Sequence, residues 1–201
     1  MYKRFFKRLI DIVISLAGLL IASPFIVPIL LFVYLKTKEN PFFLQKRPGL
    51  NGQLFTLIKM RTMANTRDSE GNLLPDKDRI TRWGKFLRET SLDEIPQLIN
   101  VLTGDMSLIG PRPLLPGYLP LYSDFHRQRH LVRPGITGWA QINGRNSISW
   151  QQKFDLDVWY VKHVSFKVDM QILLQTLIKI FKKSDINSSS DLTMPLFDGT
   201  N

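Results

Sequence analysis

An uncharged apolar run of 24 residues, Ile12 to Leu35, most restricts how this 201-residue chain can fold. A straight helix of that length is about 36 Å long, enough to cross a hydrocarbon core of about 30 Å. A cleaved signal peptide is the alternative, but the run is too long for one and no convincing small-residue cleavage site follows it. The sequence therefore predicts a membrane segment near the N-terminus.

Two features of this segment argue against a simple crossing of the bilayer. Ser23 and Pro24 lie at its midpoint, and an interior proline removes a helical hydrogen-bond donor. Cations flank both ends, and positive charge favours the cytoplasmic side for each of them. The flanking cations are Lys3, Arg4, Lys7 and Arg8 on one side and Lys36, Lys38, Lys46 and Arg47 on the other. A re-entrant helix-break-helix turning at Ser23-Pro24 and a proline-kinked span both fit this passage.

The remaining residues predict an α/β fold, rich in helices and loops, that lies close to the membrane. We divide the chain into a membrane helix (1–38), a catalytic domain (39–183) and a loosely held polar tail (184–201). Alternating and helical patterns predict the following elements. Strands are expected at Phe42 to Lys46 and Leu54 to Met60, loops at Met63 to Lys77 and Pro111 to Pro120, and helices at Thr81 to Arg88, Leu121 to Leu131, Trp150 to Val164 and Gln171 to Lys183. The last helix is amphipathic and basic, which suits either a membrane interface or core packing.

The charge and the cysteine count restrict the class of function. A net charge of +10 makes polyanions or anionic membranes plausible partners. A nucleic-acid-binding protein fits that charge but does not need the apolar run, and no binding motif is present, so no nucleic acid is expected. The absence of cysteine excludes a disulfide scaffold, a zinc ribbon and thiol catalysis.

Two other motifs resemble metal sites but favour structural interpretations. His126 and His130 are one helical turn apart, yet the motif lacks the acidic residue of the zinc-protease helix and is crowded by Arg127 and Arg129, so we predict a solvated basic helix face. Asp155-Leu-Asp157 resembles the DxD element of metal-dependent glycosyltransferases, but residues i and i+2 do not share a helix face.

The most informative segment contains the adjacent carboxylates Asp93 and Glu94 after a basic stretch. One interpretation is a capping box with Ser91 as the cap and Glu94 three residues later, although Pro96 would then lie beyond the first turn. The other starts the helix near Asp93, so that both carboxylates lie at a helix N-terminus that attracts phosphate. A carboxylate there can attack phosphorus while its neighbour holds Mg²⁺.

Four ordered motifs then make the chain similar to a known family. They are Lys59-Met-Arg61-Thr-Met63, Ser91-Leu-Asp93-Glu94, Gly104 to Pro113 and Arg133 to Arg145, preceded by Lys7-Arg8 and Asp11. The chain resembles the bacterial sugar transferases, the monotopic polyprenyl-phosphate phosphoglycosyl transferases, and most closely the small PglC type that initiates protein glycosylation.

This resemblance implies an activity and roles for individual residues. A UDP-sugar, expected to carry an N-acetylated amino sugar such as N,N'-diacetylbacillosamine, would give its phosphosugar to undecaprenyl phosphate and release UMP. Asp93 would be the nucleophile and Glu94 the residue that serves Mg²⁺. The phosphate-binding residues would be Lys59, Arg88, Arg112 and Arg145.

The resemblance also implies a location. The enzyme would be monotopic, with a re-entrant helix turning at Ser23-Pro24 among the lipids of the bacterial inner membrane. The catalytic domain would lie at the cytoplasmic face, where association with later glycan-assembly enzymes is expected.

Overall fold

The computed structural model describes residues 1–144, 148–182 and 195–200, and a long N-terminal helix is its most extended element. The helix α1, Lys7–Thr37, follows a π-helical turn at Tyr2–Phe6. Within the described part of the chain it is the one helix long and apolar enough to cross a membrane.

The backbone stays helical through Ser23 and Pro24, so no non-helical residue separates the two predicted halves of the membrane segment. Pro24 has no N–H, so the carbonyl of Leu20 loses its helical donor. The Ser23 hydroxyl donates a hydrogen bond of 2.9 Å to that carbonyl, so the group stays satisfied. The re-entrant topology itself stays a prediction.

One face of α1 packs against the rest of the chain near both helix ends. Near its start, the Asp11 carboxylate accepts a hydrogen bond of 3.0 Å from the backbone N–H of Leu108. Further along, Ile26 packs in a cluster with Met60 and Leu87. Phe32, near the far end, contacts Trp83 at 6.5 Å between ring centroids. The same domain therefore contacts both halves of the helix.

A buried carboxylate attaches the N-terminal end of this helix to the domain. Asp169 is 1% exposed and accepts hydrogen bonds from the Tyr2 hydroxyl at 2.6 Å and from Lys7 at 2.8 Å. The Tyr160 hydroxyl donates to its other oxygen at 2.8 Å. Because a buried charge must be paired, these contacts restrict where α1 can lie.

The predicted hairpin is confirmed. Strands β1, Phe42–Pro48, and β2, Leu54–Met60, are antiparallel, with Arg47 opposite Phe55 and Phe43 opposite Lys59. Asn51 and Gly52 both adopt positive φ in the connection, as the Asn-Gly pair predicts. The register places Arg47 and Lys59 on the same face of the hairpin, since side chains alternate along a strand.

Several helices after the hairpin have bounds close to those predicted from the sequence. The described helices are α2 (Asp76–Arg79), α3 (Arg82–Glu89), α4 (Gln97–Thr103), α5 (Asp124–Arg127), α6 (Trp139–Ile142), α7 (Trp150–His163) and α8 (Phe166–Lys182). The predicted helix at 121–131 is shorter, because α5 passes into a 3₁₀ turn at Gln128–Leu131. A second 3₁₀ turn, Pro116–Leu121, occupies part of the proline-rich segment predicted to be irregular. Helix α8 begins five residues earlier than predicted.

Two three-residue strands form a pair that the sequence pattern did not predict. β3, Ser107–Ile109, runs parallel to β4, Gly135–Thr137. A Cβ atom on Gly135 would lie 2.0 Å from the backbone nitrogen of Gly110, and one on Gly138 would lie 2.2 Å from the Gly110 carbonyl oxygen. These glycines therefore allow two backbone segments to approach each other.

The end of the chain is better held than predicted. Phe197 is 8% exposed and packs with Tyr118, Trp150 and Phe154 in an aromatic cluster. Its backbone N–H donates to the Tyr118 hydroxyl at 3.1 Å. The prediction of a loose tail is therefore wrong for residues around Phe197, while residues 183–194 lie outside the described part.

Candidate active site

The two adjacent carboxylates lie on a 3₁₀ turn, Leu92–Glu94, between α3 and α4. Ser91 precedes this turn with a positive φ of 57°, and its side chain makes no capping hydrogen bond. The capping-box interpretation is therefore wrong. Helix α4 starts only at Gln97, after Pro96, so both carboxylates belong to the turn that precedes the helix.

Glu94 forms two ion pairs through the same oxygen. Lys59 on β2 and Arg112 after β3 each lie 2.6 Å from its Oε1. Burial opposes ionisation, but the positive charges of Arg112 and Lys59 prevail and lower the pKa of Glu94 to about 2. Glu94 is therefore a permanent anion at neutral pH. Its Oε2 accepts no hydrogen bond from the described residues.

Asp93 differs from its neighbour in having no such partners. It is 7% exposed, and no described residue donates a hydrogen bond to its carboxylate, although neither oxygen is fully enclosed. Burial raises the pKa of Asp93, and the charge of Glu94 adds to this rise against the opposing charges of Lys59 and Arg88. A desolvated carboxylate with accessible oxygens is suited to nucleophilic attack.

Arg88 is held at the end of α3 by a neighbouring loop. Its Nε donates a hydrogen bond of 2.9 Å to the hydroxyl of Thr62, which is buried. Gly84 makes this approach possible, since a Cβ there would lie 1.9 Å from the Thr62 carbonyl oxygen. The predicted phosphate-binding residue Arg145 lies outside the described residues.

Two separate contacts fix the backbone around Arg112. The paired strands β3 and β4 are extended by a hydrogen bond of 3.0 Å from the Gly135 N–H to the Pro111 carbonyl. Arg129 donates from Nη2 to the carbonyl of Arg112 itself at 2.7 Å. The side chain of Arg112 therefore departs from a segment held on both sides.

Arg129 is paired with one aspartate of the DxD-like motif. It is 2% exposed and donates to Asp157 Oδ2 at 3.1 Å and 2.7 Å. Asp155 instead lies 3.3 Å from the His126 ring. The two aspartates thus have different partners, which confirms their structural interpretation.

The prediction of a solvated face at His126 and His130 is wrong. Both histidines and Arg129 are buried, and only Arg127 among these four is exposed. Burial and the charge of Arg129 lower the pKa of His130 to about 4, so it is neutral at physiological pH.

A cleft beside Glu94 contains Arg47, a residue whose sequence position indicates only a cation that flanks the membrane segment. Its lining consists of Arg47, Leu57, Lys59, Gln97, Arg112 and Pro113. The paired register of the hairpin is the signal that could have found Arg47, because it places this residue on the same face as Lys59.

The described residues contain no cluster of three or more acidic or histidine side chains that would hold a metal alone. Mg²⁺ does not require one, because it commonly binds one or two carboxylates together with substrate phosphates and water. Glu94 Oε2 has no hydrogen-bond donor among the described residues, and Asp93 is the adjacent residue in sequence, so the pair fits that mode of binding.

Comparison with known proteins places this geometry in a family context. The model of the bacterial sugar transferase family matches residues 2–183. The chain is 52% identical over 194 residues to the uncharacterized sugar transferase EpsL of Bacillus subtilis, with 96% of each chain covered. It is 36% identical over 200 residues to the undecaprenyl-phosphate galactose phosphotransferase of Salmonella typhimurium. It is 37% identical over 188 residues to the UDP-glucose:undecaprenyl-phosphate glucose-1-phosphate transferase of Escherichia coli. These two matches cover 90% and 89% of this chain but 41% and 40% of the relatives, so the chain spans about two fifths of their length.

Proposed function

This chain belongs to the bacterial sugar transferase family, and we propose that it moves a sugar 1-phosphate from a UDP-sugar to undecaprenyl phosphate. Enzymes of this class among its relatives are named for galactose or glucose transfer to that lipid. The observation that carries the proposal is the unpaired Asp93 carboxylate beside Glu94, which is bound by two cations.

The reaction follows from the chemistry of that site. An oxygen of Asp93 attacks the phosphorus that bears the sugar, the bond to the bridging oxygen breaks, and UMP leaves with the electron pair. An oxygen of undecaprenyl phosphate then attacks the same phosphorus and releases Asp93. The products are undecaprenyl-diphosphate-sugar and UMP, through an aspartyl-phosphosugar intermediate.

The cations around Asp93 make this attack electrostatically possible. A carboxylate approaching a diphosphate meets like charge, so positive groups must lie where the negative charge is concentrated. Lys59 and Arg112 are already held close to the site by Glu94, and Arg88 is held by Thr62. These ordered side chains lose little further freedom when they bind phosphate oxygens.

Glu94 is the proposed ligand for Mg²⁺. The Oε2 atom of Glu94 would hold the ion together with substrate phosphates, and bound Mg²⁺ would neutralise part of the diphosphate charge. Because Lys59 and Arg112 repel a cation, we expect Mg²⁺ to bind far better with UDP-sugar than to the free enzyme.

The membrane arrangement is proposed to be monotopic, with a re-entrant α1 at the cytoplasmic face of the inner membrane. A straight 31-residue helix is about 46 Å long. A helix that crossed the bilayer would carry its far end away from the catalytic domain. The contacts of Asp11 near one end and Phe32 near the other, both with that domain, support re-entry.

Cysteine labelling tests this topology, because the chain has no native cysteine. Single cysteines at Tyr2 and at Lys38 should react with a membrane-impermeant reagent from the same, cytoplasmic, side. A cysteine at exposed Lys77 in the catalytic domain marks that side as the control. Labelling of the two helix ends from opposite sides would refute the re-entrant arrangement.

The identity of the transferred sugar is the most specific part of the proposal. The resemblance to the small PglC type favours an N-acetylated amino sugar, a role in protein glycosylation and contact with later assembly enzymes. The named relatives instead transfer glucose or galactose, so these hexoses must be compared directly.

Nucleotide product analysis tests the reaction itself. The full chain in lipid nanodiscs is given undecaprenyl phosphate, Mg²⁺ and each of four UDP-sugars: glucose, galactose, N-acetylglucosamine and N,N'-diacetylbacillosamine. We expect UMP and a lipid diphosphate-sugar from at least one of them, and loss of turnover with a chelator. Release of UDP instead would identify a glycosyltransferase and refute the proposal.

A further inference from the structure

We propose that Arg47 binds a phosphate group of a substrate in the cleft beside Glu94. This inference rests on the proposed function, which supplies two phosphate-bearing substrates. It adds a residue of the hairpin to the cations already placed around the carboxylates.

The position of Arg47 is set by the strand register. In β1 it lies opposite Phe55, two residues along β2 from Leu57 and four from Lys59. All of these positions share one face of the hairpin. The side chains of Arg47 and Lys59 therefore line the same cleft, and Arg112 closes it from the segment after β3.

The partners of these three cations differ. Lys59 and Arg112 are each 2.6 Å from the Glu94 carboxylate. Arg47 donates from Nη2 to the neutral Gln45 side chain at 2.6 Å, and no described carboxylate lies within 4.0 Å of it. Its Nε is buried and has no hydrogen-bond partner among the described residues.

The cleft consequently has an excess of positive charge. Arg47, Lys59 and Arg112 contribute three positive charges, against the negative charges of Glu94, which is bonded to two of them, and of Asp93, which acts on the same two. Burial first, and the charge of Arg112 second, lower the pKa of Arg47, which reflects the cost of burying this cation beside another. An anion in the cleft removes that cost.

Phosphate is the anion that this arrangement fits. A guanidinium group presents its donors in a planar fork, which matches two phosphate oxygens, and such charge-assisted bonds are stronger than neutral ones. Arg47 is half-buried, and its enclosed Nε without a partner is costly in a folded protein unless a ligand compensates for it. Structural salt bridging is not an alternative role, since the described residues give Arg47 no acidic partner.

The test compares Arg47→Gln with Lys46→Gln on the full chain in nanodiscs. Lys46 is the matched control, because it is exposed on the opposite face of the same strand. We expect Arg47→Gln to raise the KM of one substrate roughly 10- to 100-fold, as expected for a lost charge-assisted hydrogen bond. Lys46→Gln should change KM less than about twofold, in line with an exposed contact.

The two substrates distinguish which phosphate is bound. A raised KM for UDP-sugar alone assigns Arg47 to the diphosphate, and a raised KM for undecaprenyl phosphate alone assigns it to the lipid phosphate. Unchanged KM values for both substrates would overturn the inference. Should Arg47→Gln fail to fold, Arg47→Lys keeps the charge without the fork and is expected to raise the same KM by a smaller factor; an unchanged KM in that variant would also overturn the inference.

Binding without turnover separates this inference from the proposed function. Inorganic pyrophosphate should raise the unfolding temperature of the wild type and of Lys46→Gln. The increase for Arg47→Gln should be much smaller. That result in a chain that converts no UDP-sugar would support Arg47 while refuting the proposed reaction. Equal protection of all three proteins, in an active enzyme, would refute Arg47 alone.

Discussion

Replacing Asp93 with asparagine should abolish both the covalent intermediate and the release of UMP. With UDP-sugar and Mg²⁺ but no lipid, the wild type is expected to release at most one UMP per active site and to retain a phosphosugar on Asp93. Asparagine keeps the size of the side chain but lacks the anionic nucleophile. Mass spectrometry of the peptide containing residue 93 and a rapid-quench assay of UMP measure the two effects.

Two control variants separate the nucleophile from other acidic roles. Asp155→Asn changes an exposed aspartate of the DxD-like motif and should leave the burst intact. Glu94→Gln should slow both half-reactions and weaken the dependence on Mg²⁺, without moving the adduct. Near-normal UMP release by Asp93→Asn, or an adduct on another residue, would contradict the assignment. UMP formed only with both substrates present would favour direct attack by the lipid phosphate.

The pH dependence of the burst follows from the same carboxylate. Asp93 must be ionised to attack, and burial raises its pKa. The burst should therefore decline, as pH is lowered, at a higher pH than an ordinary aspartate with a pKa near 3.9 would give. Glu94→Gln removes a negative charge that raises this pKa and frees two cations, so the acid limb should move to lower pH.

The parts of the fold that were predictable depend on contacts between residues near in sequence. The Asn51-Gly52 turn and the alternation around it predict the hairpin, and Ser149 caps α7 one residue before its predicted start. Strands β3 and β4 are not predictable from the sequence pattern, because each has three residues and they pair across a long separation in the chain. No local period distinguishes such strands from loops.

The same distinction applies to the site. Adjacent residues Asp93 and Glu94 are visible as a pair, but the binding of Lys59 and Arg112 to one oxygen of Glu94 depends on tertiary structure. The burial of His130 and Arg129 was missed because their partners, the Gly49 carbonyl and Asp157, lie far along the chain. A basic run alone does not reveal such partners.

Arg129 provides the second large effect, because it joins a buried ion pair to the backbone of Arg112. We expect Arg129→Met to destabilise the protein by about 3–5 kcal/mol, since Asp157 would be left as a buried, uncompensated charge. Replacing both residues, as Arg129→Met with Asp157→Leu, should restore most of that stability, because apolar pairs often replace buried ion pairs well. The unfolding temperature of each variant in detergent measures this part.

We expect the kcat of these variants to depend on the hydrogen bond between Arg129 and the Arg112 carbonyl, and not on their stability. The double variant lacks the hydrogen bond of 2.7 Å to the Arg112 carbonyl, so its kcat should stay low by a factor on the order of 10², as expected for a misplaced binding group. Ile172→Ala, in the buried core, is the matched control, because it costs about 2–5 kcal/mol without touching this contact. At assay temperatures below its unfolding temperature, Ile172→Ala should have the kcat of the wild type. A double variant with wild-type kcat would show that Arg129 stabilises the fold but does not position Arg112.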